Sequence, residues 1–88
     1  MNVIFHHQFL KSYQKRIQPF PKLDKQFTAR LKLFKDDTKN QILRDHALEG
    51  EKQDYRAFSI TGDIRVVYSL LDENTALFVD VGSHNQVY

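Results

Sequence analysis

At 88 residues the chain has room for one small core, and folding should remove only about 60–65% of the surface its unfolded form exposes. A composition that is 41% hydrophobic and 12% aromatic excludes a disordered protein, and the absence of cysteine excludes disulfides, thiolate metal sites and a cysteine nucleophile. The net charge of +2 hides an asymmetry: residues 1–44 hold ten Lys and Arg against three acids, whereas residues 45–88 hold three against eight. A basic half of this kind suits either a polyanionic partner or ordinary solvated helix faces.

No apolar stretch approaches the roughly 20 residues of a membrane span, and the amino terminus lacks the apolar run of a signal peptide, so the expected location is cytoplasmic. In chain order, "MNVIF" is β-prone and alternates, which predicts a first strand. Phe9, Leu10, Tyr13 and Ile17 then recur at helical spacing and predict an amphipathic helix over 7–18, with Lys11, Lys15 and Arg16 outward. "QPFP" ends it, because proline lacks an amide donor and disfavours helix in the residue before it.

Leu23, Phe27, Leu31 and Phe34 predict a second helix over 22–35, with Lys22, Lys25, Arg30, Lys32 and Lys35 along it. "KDDTKN" is a breaker, and "QILRDHALEGEKQ" reads as a loop. Three strands follow, "DYRAFSI", "IRVVYSLL" and "ALFVDV", separated by the turns "TGD" and "DENT". The expected fold is α+β in a single domain, residues 1–88: a strand, a two-helix hairpin, then an antiparallel meander packed on the helices. The other sheet face is left free.

Histidines are the side chains best suited to proton transfer near neutral pH. His6 and His7 carry no motif and read as surface or capping residues. His46 lies in a polar loop beside Asp45, which is in position to orient its ring, and His84 follows the last strand. Asp63 belongs to the turn before the third strand, and Arg65, two positions on, shares its face if the strand is regular. RNA cleavage without metal needs a base for the 2′-hydroxyl, a cation for the pentacoordinate phosphate and an acid for the leaving 5′-oxygen. His46, Asp63, Arg65, His84 and Tyr88 include all these chemical types. His46, Asp63 and His84 are also zinc-ligand types, but no local HxxxH-like spacing supports a metal site, and no cofactor is called for.

The pieces "DH-x-L-x-G", "YR", "D-x-x-x-x-Y" and "GSH" with an aromatic four residues on resemble the RelE/ParE toxin superfamily, in particular its YafQ-like branch. The match is clear from Arg44 to Tyr88, while the first half agrees only in its strand–helix–helix order. The resemblance implies a RelE-like fold and a ribosome-dependent mRNA endoribonuclease of a type II toxin–antitoxin pair, acting in the ribosomal A site. It places the pattern's catalytic positions on His46, Asp63, His84 and Tyr88, with Arg65 matching the strand arginine of RelE-type relatives. A further histidine of the YafQ-like pattern is Ser59 here.

The partners so implied are a cognate antitoxin, the ribosome and mRNA, with Arg56 and the basic residues of the second helix as candidate RNA contacts. Two other readings stay open: a ParE-like gyrase inhibitor without catalysis, which the histidine set disfavours, and an inactive antitoxin-binding homologue, which Ser59 permits. For the carboxyl-terminal segment "GSHNQVY" the expectation is that Gly82 bends the chain off its strand, Ser83 bonds the freed backbone, and His84 and Tyr88 wall a cleft.

Overall fold

Apolar spacing sets the first half of the fold. In the computed structural model, which describes residues 1–88, strand β1 (Asn2–Phe5) leads into helix α1 (His7–Arg16) and helix α2 (Pro21–Asp36). His6 caps α1, its Nδ1 accepting from the Gln8 N–H at 3.1 Å. Pro21 opens α2 at the one helical position where a missing amide donor costs nothing. No helix is long and apolar enough to cross a membrane.

The second half builds the sheet from β2 (His46–Ala47), β3 (Arg56–Ser59), β4 (Ile64–Asp72) and β5 (Thr75–Ser83), and ends in a short helix, α3 (His84–Val87). The strand order is β1-β5-β4-β3-β2. The β2 to β5 pairings are antiparallel, as the consecutive turns predict. β1 instead pairs with β5 in parallel, Asn2 opposite Thr75 and Phe5 opposite Phe78, so the complete sheet is mixed. Two further features bear on function: His46 lies in a two-residue edge strand rather than the loop the sequence suggested, and the residues after β5 form a helix, for which the sequence reading assigned no element.

Helices α1 and α2 cover one face. Phe9, Ile17, Phe27 and Phe34 from the helices meet Phe58, Val66, Tyr68, Phe78 and Val81 from the strands, all buried. Strand alternation sends the intervening residues to the opposite face, where Ala57 and Val67 pack under Val87 of α3, with Leu48, Tyr55 and Val79 around them. On that second face the covering elements are this four-residue helix and the β2–β3 connection, whose Lys52 reaches the Val87 carbonyl.

The helix pair is tied by the Tyr13 hydroxyl, which donates to Asp24 Oδ1 in the first turn of α2. This bond, reinforced by partial burial and the carboxylate's charge, pushes the Tyr13 phenol up to about 12. Because the folded value lies above the ordinary 10.0, the contribution is complete below about pH 10 and is lost as pH rises through 12. Tyr13→Phe should lower stability at pH 7 by about 1 kcal/mol, or roughly 4–8 °C in Tm. The gap between variant and parent should narrow as pH is raised from 10 towards 12, whereas a constant gap would assign the loss to packing.

Candidate active site

Cross-strand register determines which polar residues share the face that α1 and α2 leave free. His46 is opposite Ala57, Ser59 is opposite Arg65, and Arg65 is opposite Gly82. Directly paired residues project to the same side of a sheet, so His46, Ser59 and Arg65 join Ala57 and Val67 on that face. With strands about 4.8 Å apart and a two-residue offset, the His46 and Arg65 backbones are roughly 12 Å apart, a span two long side chains can bracket. Ser59 is itself buried, and its carbonyl accepts from Arg30 Nη1 at 3.2 Å.

The last residues cross this face. Val87 rests on Ala57 and Val67, and its carbonyl accepts from Lys52 Nζ at 2.8 Å. The His84 and Tyr88 rings meet edge to face, 4.5 Å between centroids. Burial raises the Tyr88 phenol above its ordinary value, and the Arg65 charge pulls it part of the way back. On its other side Tyr88 lines a cleft of about 360 Å³ with Leu48, two residues beyond His46. His84 and Tyr88 thus meet just beyond the end of β5, where Arg65 is paired opposite Gly82, with the His46 segment at the far edge of the same sheet face.

Asp63 stands apart. β4 begins at Ile64, so Asp63 lies outside the regular strand, its N–H donating to Thr61 Oγ1 at 3.2 Å. It lines a different cleft, beside Arg16 and Phe20. The sequence expectation that Asp63 and Arg65 share a strand face is therefore corrected.

Asp45 does not orient His46. Its carboxylate accepts from Arg56 Nε at 2.8 Å and Nη2 at 2.7 Å on one oxygen and from the Tyr68 hydroxyl on the other. The His46 ring is held by backbone: its Nδ1 lies 2.9 Å from the Arg44 carbonyl oxygen. A carbonyl can only accept, so Nδ1 carries the proton and, in the neutral ring, Nε2 keeps a free lone pair. Arg44 presents that carbonyl from a left-handed conformation, φ 51°, which costs a non-glycine residue on the order of 1 kcal/mol. The Asp45 anchor immediately after it holds the turn in place.

Several predicted RNA contacts have structural partners. Arg56 is engaged by Asp45 and projects to the helix-covered side, opposite Tyr68. Arg30 donates to the carbonyls of Ile42 and Ser59. Lys22, Lys25, Lys32 and Lys35 are exposed on α2, and the first three fall within an arc of about 80°.

Arg16, expected to point outward, turns to the open edge of β5 instead. Its Nη1 lies 3.3 Å from Asp80 Oδ1 and 3.1 Å from the Val81 carbonyl oxygen, which has no strand neighbour there. A bulge at Val79 sets Asp80 beside that edge, where Ser12 also donates to it at 2.6 Å. Gly82 is needed for close approach rather than for a bend: its φ is not positive, and a Cβ there would lie 2.6 Å from Gln86 Oε1 and 2.9 Å from Arg16 Nη1. Gln86 Oε1 accepts from the Ser83 N–H at 2.7 Å and so fixes the start of α3.

A family model described as bacterial toxin of type II toxin-antitoxin system, YafQ, matches residues 1–88. The chain belongs to this family. Among solved structures, YafQ from E. coli strain BL21(DE3) superposes with a TM-score of 0.82 at 19% identity, covering 99% of this chain and 97% of that one. YafQ in the E. coli DinJ-YafQ toxin-antitoxin complex gives 0.80 at 20%, covering 99% and 96%. A YoeB/ParE toxin from Agrobacterium tumefaciens gives 0.76 at 14%, covering 96% and 99%. At these identities the likeness is one of fold. Comparison with curated proteins gives no match.

This YafQ-family toxin thus keeps the RelE-like fold along the whole chain, including the first half, where the sequence carried only an order of elements. Asp45→Ala should leave the Arg56 guanidinium and the Tyr68 hydroxyl without their acceptor and cost about 2–3 kcal/mol in denaturant unfolding. Arg56→Ala should cost less, since Arg56 is 38% exposed and water replaces part of what Asp45 loses. Equal losses would show that the pair is a simple unit with no separate Tyr68 bond.

Proposed function

We propose that the protein is a toxin that cleaves mRNA in the ribosomal A site, by metal-independent acid–base attack of a 2′-hydroxyl on its own phosphodiester, and that a cognate antitoxin restrains it. The observation that carries this reading is the meeting of His84 and Tyr88 just beyond the end of β5, beside the free sheet face that carries Arg65 and His46.

In this reading His46 is the base. Its Nε2 lone pair takes the 2′-hydroxyl proton while the ribose oxygen bonds to phosphorus. Arg65 supports the extra negative charge of the pentacoordinate phosphate, as a guanidinium does best. His84 gives a proton to the departing 5′-oxygen, leaving a 2′,3′-cyclic phosphate and a free 5′-hydroxyl. Tyr88 positions the His84 ring and offers a face on which a base stacks. Asp63 acts from the neighbouring cleft, on a flanking part of the message. The exposed lysines of α2 suit ribosomal RNA, and an acidic antitoxin segment suits the same basic half.

His46→Ala and His84→Ala should each reduce cleavage of mRNA on translating ribosomes by about 10²- to 10⁴-fold. Both side chains are exposed, so Tm and far-UV circular dichroism should stay at parental values. Undiminished cleavage by both variants removes the nuclease assignment; inhibition of gyrase by the parent protein would put a ParE-like role in its place.

A further inference from the structure

The α1–α2 turn carries an aromatic ring that the fold does not use. Phe20 is 56% exposed, although buried phenylalanines build the core. It is held stiffly: Pro19 and Pro21 flank it, its N–H donates to the Ile17 carbonyl at 3.0 Å, and its carbonyl accepts from the Asp24 N–H at 2.9 Å. A ring presented on so rigid a backbone loses little conformational entropy when a ligand stacks on it.

Phe20 lines a cleft of about 600 Å³ with Lys15, Arg16, Asp63, Ser83 and Gln86. That volume lies within the roughly 300–1,000 Å³ of small-ligand sites. Lys15 is exposed and has no ion-pair partner, while Arg16 spends Nη1 on Asp80 and Val81 and retains other donors. Gln86 uses Oε1 on the Ser83 N–H and keeps its amide protons free. The cleft therefore offers a ring face, amide donors, the unpaired cation of Lys15 and the remaining donors of Arg16, with the Asp63 carboxylate on its far wall available to accept from a base or ribose hydroxyl, and Ser83 adjoins His84 in the proposed cleavage site.

We propose that this cleft is a subsite for one nucleotide of single-stranded RNA, its base stacked on Phe20 and its phosphate held by Lys15 and Arg16. The inference rests on the nuclease reading for its choice of RNA, and it extends the message-binding surface around the end of β5 from His84 to the α1–α2 turn. A protein segment is the competing occupant, and Leu23 and Ile64 beside Phe20 would suit it; the exposed Lys15 and the spare donors of Arg16 beside the ring favour a phosphate-bearing chain.

The test measures binding of a fluorescent 2′-O-methyl RNA hexamer, which lacks the attacking hydroxyl and so reports binding independently of cleavage. Phe20→Ala and Phe20→Leu should each weaken binding by about 5- to 100-fold, and Phe20→Trp should retain it, since the base needs a π face and not merely apolar volume. Lys15→Gln should flatten the slope of log affinity against log salt by about 0.7. Unaltered Tm would confirm that Phe20→Ala folds. Equal binding by Phe20→Ala and the parent overturns the subsite, as does equal binding by Phe20→Leu and Phe20→Trp, or no saturable binding by the parent even where ribosomal cleavage is intact. Loss of antitoxin binding in Phe20→Ala with RNA binding unchanged assigns the cleft to protein and also overturns it.

Discussion

One ring of helix α2 holds the two layers together. Phe34 is fully buried, and its centroid lies 4.7 Å from Phe58, 4.9 Å from Tyr68 and 5.4 Å from Phe78, so a single side chain touches β3, β4 and β5. Aromatic contacts of this kind add about 0.5–1.5 kcal/mol each to the burial of the rings themselves. By fixing which face of three strands lies against the helices, the cluster also fixes which face does not. Strand pleat does the rest: Phe58 inward means Ala57 and Ser59 outward, and Val66 inward means Arg65 and Val67 outward.

The outward face is built from small residues where α3 must sit. Ala57, Val67 and Gly82 leave space for Val87 and Gln86, and the helix they admit brings His84 and Tyr88 over a sheet that carries Arg65. The site is thus a product of packing on both faces. Asp45 links the two: it grips Arg56 and Tyr68 on the helix side, while the next residue, His46, projects to the other.

The helices were legible because their apolar positions recur every three or four residues, and the hairpins because turn residues separate alternating runs. Both signals are local. The parallel β1–β5 pair joins residues 73 positions apart and left no such mark; nor did α3, whose four residues are too few to show a period. The candidate site was visible as residue types and through the family pattern, whereas its electrostatics was not. Asp45 looked like a partner for adjacent His46 but serves Arg56 and Tyr68, which only the sheet register brings near. Arg16 looked like a solvated helix cation; the bulge that sets Asp80 and the open carbonyl of Val81 gave it another place. Gly82 looked like a hinge because glycine so often is one, yet what it supplies is the absence of a Cβ.

The β1–β5 pairing also orders events during synthesis. β1 is made before the other strands, but its only strand neighbour is made about seventy residues later, so its hydrogen-bonding edge stays unmet while β2, β3 and β4 are synthesised. Closing so long a loop is entropically costly, and the terminal helix that bears His84 cannot dock until β5 has left the exit tunnel. A nascent chain therefore acquires its complete histidine face only after the residues that follow β5 have been made.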